Sequence, residues 1–343
     1  MRRLLSLLLL FALIPGSSVI GAEIGYRQAA QSDTPLFMLA VEGGIEIRDN
    51  GQLEHIALSE GAWMQAIERL GTELSAGAAA SSVKSATGWV VTGTQTSKTG
   101  RTLMVTVSNG TENQLLTTPK LSLGSLAWWP LPIVQRSRLI GLVWLEGDRL
   151  DRLAVVAARW QGDRWTSPVV VSPVGVGSQA GLTATVLEDG TWLLAWTRFD
   201  GQDDEIMWAS GDGTKFRRPT PLHRGNALAD ILPSLVAVGN TATVAWSREG
   251  QDSYLLQIAE FDGKSWNQIN LAPMTAVAPQ LHRRDKSVLI SLWTHTGLEP
   301  RWALAKVHQH ALTFIDSLAG EQSRPAVAST QTGRFVAPPK VSR

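Results

Sequence analysis

The chain has 343 residues, with 31 basic residues, 30 acidic residues and no cysteine. This near-neutral charge excludes a basic surface for nucleic acid or anionic lipid, and the lack of cysteine excludes disulfides and thiolate metal sites. The fold must therefore depend on its hydrophobic core, to which the 14 tryptophans can contribute large apolar side chains.

The N-terminal residues have the pattern of a secretory signal peptide. Arg2 and Arg3 precede an apolar run from Leu4 to Ile14, and small residues follow up to Ala22. The run is short for a membrane span, so we expect cleavage after this segment, with an anchored helix as the alternative. Cleavage would leave 29 basic and 30 acidic residues. We therefore expect a periplasmic or secreted protein without a membrane span.

The remaining sequence predicts one domain built from β-strands. We expect a lead-in at residues 23–34, a β domain at 35–336 and a tail at 337–343. The chain is long enough for two domains, but all-β repeat folds of this size often form one. Within the domain, residues 59–79 lack the strand pattern, and their apolar residues recur at helical spacing. This segment is expected to be a helical or irregular insertion.

One sequence pattern is repeated about every 50 residues. Three pairs of residues are separated by 50 positions: Trp196 and Trp246, Gly213 and Gly263, and Phe216 and Trp266. Successive turn glycines lie 52, 51 and 50 residues apart, at Gly110, Gly162, Gly213 and Gly263. Opening strands are expected around Pro132, Thr183, Pro233 and Pro279. Four short strands in each such unit are typical of a β-propeller blade.

The two ends of the β domain complement each other. Strand candidates after Pro35 resemble the later strands of a unit, whereas Arg324 to Val336 supplies only opening strands. A blade shared by the two ends would close the ring and leave no open sheet edge. We therefore predict an all-β fold, a single β-propeller of six blades with four antiparallel strands each. Five or seven blades stay open, because residues 59–79 could contain strands.

Short polar hairpins contain the turn glycines. The predicted structural turn residues are Asn109, Gly110, Gly162, Asp163, Asp212, Gly213, Asp262 and Gly263. In such turns Asp accepts backbone hydrogen bonds and Gly takes a positive φ. The segments Ser210-Gly-Asp212-Gly213-Thr-Lys-Phe216 and Phe261-Asp262-Gly263-Lys-Ser-Trp266 resemble the Asp-box, or BNR repeat, of sialidase-like propellers. The first is one residue shorter than that motif, and the second lacks its leading hydroxyl residue.

The resemblance to sialidases implies three converging arginines, a tyrosine nucleophile activated by a glutamate, and an aspartate acid. The chain has two tyrosines, Tyr26 and Tyr254. Tyr26-Arg27 lacks the Ile-Pro of the corresponding arginine motif, and Tyr254 begins a predicted strand. Because a fold does not carry chemistry by itself, no catalytic residue is assigned from the sequence.

Candidate ligand-binding residues fall on one predicted face of the propeller. That face combines the connections between blades with the loops between second and third strands, and loops commonly carry function. The tryptophan pair, Asp230 and Arg324 are expected just before first strands, near the channel. The candidates are Trp128, Trp129, Arg198, Asp203, Asp204, Asp230, Arg248 and Arg324.

Structural roles compete with ligand binding at these positions. Arg198 and Arg248 are expected to pair with neighbouring loops more readily than with an anionic ligand. At least one of Trp128 and Trp129 is expected to be buried between blades. Residues 200–205 are acidic enough to suggest Ca²⁺, but they lack the spacing of a known Ca²⁺ loop and favour a solvated turn. No other metal or cofactor is predicted.

The sequence therefore favours an exported, monomeric and non-catalytic β-propeller that binds a protein or a glycan. The alternative is a sialidase-like glycoside hydrolase or lyase that acts on envelope or extracellular glycans. No nucleic-acid partner is expected from the charge distribution.

Overall fold

A computed structural model describes most of the chain from residue 37 to residue 337. The described residues are 37–41, 44–49, 52–57, 81–85, 88–97, 100–108, 113–149, 151–175, 177, 179–223, 227–251, 253–284, 286–296, 299–308, 311–319, 326–329 and 334–337. This part of the chain contains 25 strands and no helix, which confirms the predicted all-β class. The predicted signal peptide, the insertion at 59–79, Asn109, Gly110 and Arg324 lie outside the described residues.

The strands follow one another in chain order through a series of antiparallel sheets. The first seven are β1 (Phe37–Val41), β2 (Gly44–Asp49), β3 (Gln52–Ala57), β4 (Ser81–Ser85), β5 (Gly88–Ser97), β6 (Gly100–Ser108) and β7 (Asn113–Leu115). The next eight are β8 (Leu126–Gln135), β9 (Arg138–Arg149), β10 (Arg152–Arg159), β11 (Val169–Ser172), β12 (Gln179–Val186), β13 (Trp192–Phe199), β14 (Asp204–Gly211) and β15 (Thr220–Pro221). The last ten are β16 (Asp230–Val238), β17 (Thr241–Glu249), β18 (Tyr254–Phe261), β19 (Trp266–Ile269), β20 (Val277–Arg284), β21 (Ser287–Thr296), β22 (Glu299–His308), β23 (Ala311–Ala319), β24 (Ala326–Ser329) and β25 (Arg334–Ala337).

Five units of four strands make up the middle of the chain. The strands β12–β15, β16–β19 and β20–β23 form three separate sheets, each in sequential order. The units β4–β7 and β8–β11 are joined into one larger sheet by a single parallel pair, Arg101 with Leu126. The opening strands expected around Pro132, Thr183, Pro233 and Pro279 lie within β8, β12, β16 and β20.

Adjacent units pack face to face, and their first strands contact one another. Contacts run from β4 to β8, from β8 to β12, from β12 to β16 and from β16 to β20. Buried clusters fill the space between neighbouring sheets, and Trp144, Trp192, Trp196 and Trp246 are among their largest side chains. Because both faces of these sheets are covered, strands such as β13 are apolar along most of their length.

Side-chain hydroxyls link the first strands of successive units. Thr183 Oγ1 accepts a hydrogen bond from the Leu235 N–H (3.2 Å), and Ser234 Oγ accepts one from the Leu281 N–H (2.9 Å). The first strands are also irregular, since the pairing of β16 with β17 shifts between Ile231 and Ser234. This bulge interrupts the regular pairing, while Asp230 and Ile231 before it remain paired with β17.

The two ends of the described chain form separate small sheets. One contains β1–β3 and the other β24–β25, and β1 lies against β24. A hydrogen-bonded ladder between these two sheets is not seen in the described strands. Closure of the ring and the number of six blades therefore stay predictions. None of the described residues belongs to a helix that could cross a membrane.

Candidate functional site

One end of the fold collects six carboxyl groups from two neighbouring sheets. They lie in the connection between β13 and β14, at the starts of β14 and β16, and at the end of β17. These positions share one side because each strand of the sheet runs opposite to the previous one. We call this group the acidic cluster: Asp200, Asp203, Asp204, Glu205, Asp230 and Glu249.

The connection between β13 and β14 is closed by its own first residue. The Asp200 carboxylate accepts hydrogen bonds from the backbone N–H groups of Gln202 (2.8 Å) and Asp203 (3.2 Å). The Asp200 N–H in turn donates to the Asp203 carbonyl (3.0 Å). Asp closes many turns in this way. The turn sets the direction in which the chain enters β14 and thereby positions Asp204 and Glu205.

Asp203 and Glu205 are buried carboxyl groups with incomplete hydrogen bonding. Each is 8% exposed, and Asp203 Oδ2 and Glu205 Oε2 have no hydrogen-bond partner in the described part of the chain. Burial, followed by the charge of Asp200, raises the pKa of Asp203. Burial, followed by the charge of Asp230, raises the pKa of Glu205 to about 7. Buried groups with shifted pKa values concentrate at functional sites.

Asp204 is a second carboxyl group that titrates close to neutral pH. It is partly buried at the start of β14, and burial together with the charge of Asp203 raises its pKa to about 6. Tyr254, the first residue of β18, also has a raised pKa, because of burial and the charge of Glu249. Asp204 and Glu205 can therefore exchange protons near neutral pH, whereas the Tyr254 hydroxyl stays protonated.

Asp230 is engaged in a buried ion pair within its own sheet. Its carboxylate accepts hydrogen bonds from Arg248 Nε (2.8 Å), Arg248 Nη2 (2.9 Å) and Trp246 Nε1 (2.8 Å). The two charged residues are register partners in β16 and β17. The prediction that Arg248 pairs with a neighbouring loop is therefore wrong. Asp230 is also the first residue of β16 and not a residue before it, and it is 1% exposed.

The preceding sheet has an arginine and a tryptophan at the matching positions, but the residue opposite the arginine is not a carboxylate. Gln179 is the register partner of Arg198, as Asp230 is of Arg248. The Gln179 Nε2 group donates to three backbone carbonyls instead. No ion pair or hydrogen bond of the Arg198 side chain is seen within the described residues, so its predicted pairing with a loop is not observed. Trp196 Nε1 likewise lacks a partner there.

Trp128 and Trp129 lie inside β8, so their predicted place just before the strand is wrong. Both side chains are partly buried. The Arg101 guanidinium lies 4.0 Å from the centre of a Trp128 ring, in a cation–π contact. Trp129 has a φ of 56° in the bulge of β8, a conformation that a bulky residue rarely adopts. Leu232 has the same φ of 56° in β16, which indicates that the bulge belongs to the repeating unit.

The predicted turn residues lie at the opposite end of the sheets. The Asp212 carboxylate accepts hydrogen bonds from the N–H groups of Thr214 and Lys215, and Gly213 has a φ of 86°. The bond from the Thr214 hydroxyl is the main cause that lowers the pKa of Asp212 to about 2.

The other described turns are similar. The Asp262 carboxylate accepts hydrogen bonds from the N–H groups of Lys264 and Ser265, which lower its pKa to about 2. Gly162 and Gly263 also have positive φ values, 102° and 98°, and Asp163 is exposed. Such turns connect adjacent strands.

Several residues of the site were not among the sequence candidates. Glu205 and Glu249 belong to the acidic cluster but were not assigned a binding role, although each follows a candidate directly in the sequence. Gln179 could have been found by aligning the repeats, since it precedes Arg198 by almost the same distance as Asp230 precedes Arg248. The burial of these side chains has no such sequence signal.

The described residues contain no group of three or more His, Cys, Asp or Glu side chains arranged to hold a metal ion. The Ca²⁺ site suggested by the acidic loop at 200–205 therefore stays a prediction. The unpartnered oxygens of Asp203 and Glu205 are enclosed by the protein, whereas Asp200, Asp204 and Glu249 are exposed or partly exposed.

No protein-family model and no curated protein matches the chain. Among solved structures, an ulvan lyase of polysaccharide lyase family PL25, bound to -[GlcA(1-4)Rha3S]-, has a TM-score of 0.59 and 9% identity. The match covers 90% of this chain and 87% of the lyase. The polysaccharide lyase Uly1 has a TM-score of 0.55 and 9% identity, over 91% of this chain and 88% of that protein.

A six-bladed β-propeller lectin from the fungus Aleuria aurantia has a TM-score of 0.47 and 13% identity, over 83% of this chain and 91% of the lectin. At these identities, the two stronger similarities show a shared fold and nothing more specific. The chain therefore has the all-β fold of two polysaccharide lyases, with an acidic cluster at one end of its central sheets.

Proposed function

We propose that the protein acts on a glycan and that the acidic cluster contacts the sugar. The observation that carries this proposal is the presence of two buried carboxyl groups, Asp203 and Glu205, each with one oxygen that lacks a partner among the described residues. Beside them, the exposed or partly exposed carboxyl groups of Asp200, Asp204 and Glu249 can accept hydrogen bonds from sugar hydroxyls. The similarity in fold to two polysaccharide lyases, over most of the chain, supports a glycan as the ligand.

Glycan cleavage is a more specific candidate than binding alone. A carboxyl group with a pKa of about 7, such as Glu205, can donate a proton to a leaving group near neutral pH. Asp200 is an exposed carboxyl group in the same cluster, whereas Asp230 is 1% exposed and bound to Arg248. Glycosidases combine a protonated and an ionised carboxyl group. In this candidate Glu205 is the general acid, and the non-catalytic binding module predicted from the sequence is the alternative.

A glycan array followed by product analysis tests both candidates. We expect the purified protein to retain a defined set of glycans and to release new reducing ends from them on longer incubation. Glu205→Gln should remove the release while it preserves retention, because the amide keeps the shape of the side chain but cannot donate the proton in the same way. Retention without release would favour the binding module, and the absence of any retained glycan would contradict the proposed function.

The architecture we propose for this function is a closed ring of six blades. The five four-stranded units would be completed by a sixth unit that combines β1–β3 with β24–β25, as the proximity of β1 and β24 supports. The turns at Asp212 and Asp262 would be degenerate Asp-box turns, which their hydrogen bonds support. Removal of residues 326–343 should then lower the thermal midpoint, and an unchanged midpoint would argue against the shared unit.

Export as a monomer is part of the same proposal. It rests on the charged, apolar and small-residue segments at residues 1–22. Cell fractionation of the native host and light scattering of the purified protein test the location and the oligomeric state. A cytoplasmic product with an intact N-terminus would contradict export.

A further inference from the structure

A groove lies where the connection between the first two four-stranded units meets the second unit. The connection between β7 and β8 forms one wall of the groove, and the loop between β10 and β11 forms the other. Its volume of about 670 Å³ falls within the range of small-molecule sites, about 300–1,000 Å³. None of its lining residues belongs to the acidic cluster. The groove is therefore a separate candidate site.

Hydrogen bonds hold both walls of the groove in place. Trp165 Nε1 donates to the Thr117 carbonyl at 2.5 Å and thereby links the two walls. In the same connection, the N–H groups of Ser122 and Leu123 donate to the buried Glu146 carboxylate. Because the walls are fixed before a ligand enters, binding costs less conformational entropy.

The lining of the groove combines apolar surface with hydroxyl groups. Trp165 is partly buried, and its ring packs against that of Trp160 with a centroid distance of 4.9 Å. Two prolines and a leucine add apolar surface. A sugar ring has an apolar C–H face and hydroxyl groups at its edge, so both parts of the ring find partners on such a lining. The lining residues with hydroxyl groups are Thr117, Thr118, Ser122, Thr166 and Ser167.

The charge of the groove favours an uncharged ligand. Lys120 is the single ionisable residue among those that line the groove, and its side chain is exposed. An exposed ammonium group contributes little to binding, because water and salt screen its charge. Contact with the Trp165 ring and hydrogen bonds to hydroxyl groups are then the main interactions. Proline-rich peptides also bind to aromatic grooves, but they have no hydroxyl edge to match the threonines and serines.

We infer that this groove binds an uncharged segment of a β-linked glycan, with a sugar ring packed on Trp165. The inference rests on the proposed glycan ligand. It adds a second contact surface, apart from the acidic cluster, that holds the chain of sugars and takes no part in its cleavage.

Isothermal titration calorimetry with hexasaccharides tests the inference. The neutral probes are the β-1,4-linked hexamers of glucose and xylose, whose equatorial substituents leave flat C–H faces, and the charged probe is a hexamer of galacturonic acid. We expect at least one neutral hexamer to bind, and to bind more tightly than the charged one. Trp165→Ala removes the aromatic surface and should weaken binding of the neutral hexamer about tenfold or more.

Three further variants separate loss of the groove from loss of stability. Ser167→Arg places a long side chain in the groove from an exposed position and retains Trp165, so it should weaken binding to a similar extent. Trp266→Ala removes a partly buried tryptophan that follows a turn glycine by three residues, as Trp165 does, and should leave binding unchanged. Lys120→Gln should leave it unchanged as well. The circular dichroism spectrum and thermal midpoint of each variant check its folding.

Binding that is unchanged in Ser167→Arg, or that falls as far in Trp266→Ala as in Trp165→Ala, would overturn the inference. Two other results would also overturn it: a preference for the galacturonic acid hexamer that is lost in Lys120→Gln, and equally tight binding of a proline decamer. If neither neutral hexamer binds but the glycan array retains ligands, the inference falls and the proposed function stands. An empty array would overturn both.

Discussion

Trp246 and Trp196 are matched residues, and the same substitution should affect them differently. They lie 50 positions apart in the sequence, and they are 1% and 0% exposed in neighbouring sheets. Trp246 Nε1 donates to Asp230 at 2.8 Å, whereas Trp196 Nε1 has no partner among the described residues. Replacement by Phe removes a similar ring volume at both sites. Trp246→Phe also removes a hydrogen bond to a charged group.

The expected difference follows from the hydrogen bond and from the cost of the unpartnered group. A hydrogen bond to a charged group contributes about 1.5–3 kcal/mol, and burial of an N–H group without a partner costs about 1–3 kcal/mol. Trp246→Phe loses the first contribution, whereas Trp196→Phe relieves the second cost. We therefore expect Trp246→Phe to lower the free energy of unfolding by about 2 kcal/mol or more beyond the effect of Trp196→Phe.

Urea denaturation followed by circular dichroism measures both variants without relying on tryptophan fluorescence. The slopes of the two transitions should agree, so that midpoints can be compared directly. Asp230→Asn, alone and combined with Trp246→Phe, completes a double-mutant cycle in which coupling between the two residues is expected. A loss for Trp196→Phe equal to or greater than that for Trp246→Phe, or an absence of coupling, would refute the reasoning.

Two further predictions concern pH and backbone conformation. Glu205→Gln should raise the free energy of unfolding by on the order of 2 kcal/mol at about pH 8 and little near pH 4. Folding raises the pKa of the Glu205 carboxyl group from 4.5 to about 7. The contribution of this group to stability is therefore fully present below pH 4.5, and it is lost as the pH rises to about 7 and above. Thermal unfolding over this range checks the trend, and a constant difference would contradict it. Gly213→Ala should destabilise more than Gly263→Ala, because both have positive φ but only at Gly213 would a Cβ lie 2.7 Å from the buried Trp192 ring. Equal thermal midpoints for the two variants would exclude this steric cost.

The strands could be predicted because their pattern is local. The segment Trp192–Phe199 is apolar along most of its length, and both of its faces are covered in the structure. The register shifts in β8, β12, β16 and β20 were not predicted. Residues such as Trp129 and Leu232 adopt positive φ because neighbouring sheets hold the bulge in place, for example through the hydrogen bond from the Leu232 N–H to Thr197 Oγ1. A local pattern contains no information on such a contact.

The candidate site could be predicted only in part. Asp203, Asp204, Asp230 and Arg248 were placed on one face from the repeat alone. Whether Arg248 is available to a ligand depends on the side chain opposite it, and the structure shows that Asp230 accepts two hydrogen bonds from its guanidinium group. The equivalent position opposite Arg198 is Gln179, so two arginines with the same sequence context have different partners.

The sequence by itself determined the all-β class, the four-stranded repeating unit and the position of its tight turns. These features follow from periodic apolar residues and from Gly and Asp at turns, which act over a few residues of chain. Only the tertiary structure decided which carboxyl groups of the acidic cluster are paired, buried or close to neutral in pKa. Such properties depend on the distance to charges in another sheet and on exclusion of water between sheets, and these are set by packing between residues far apart in the chain.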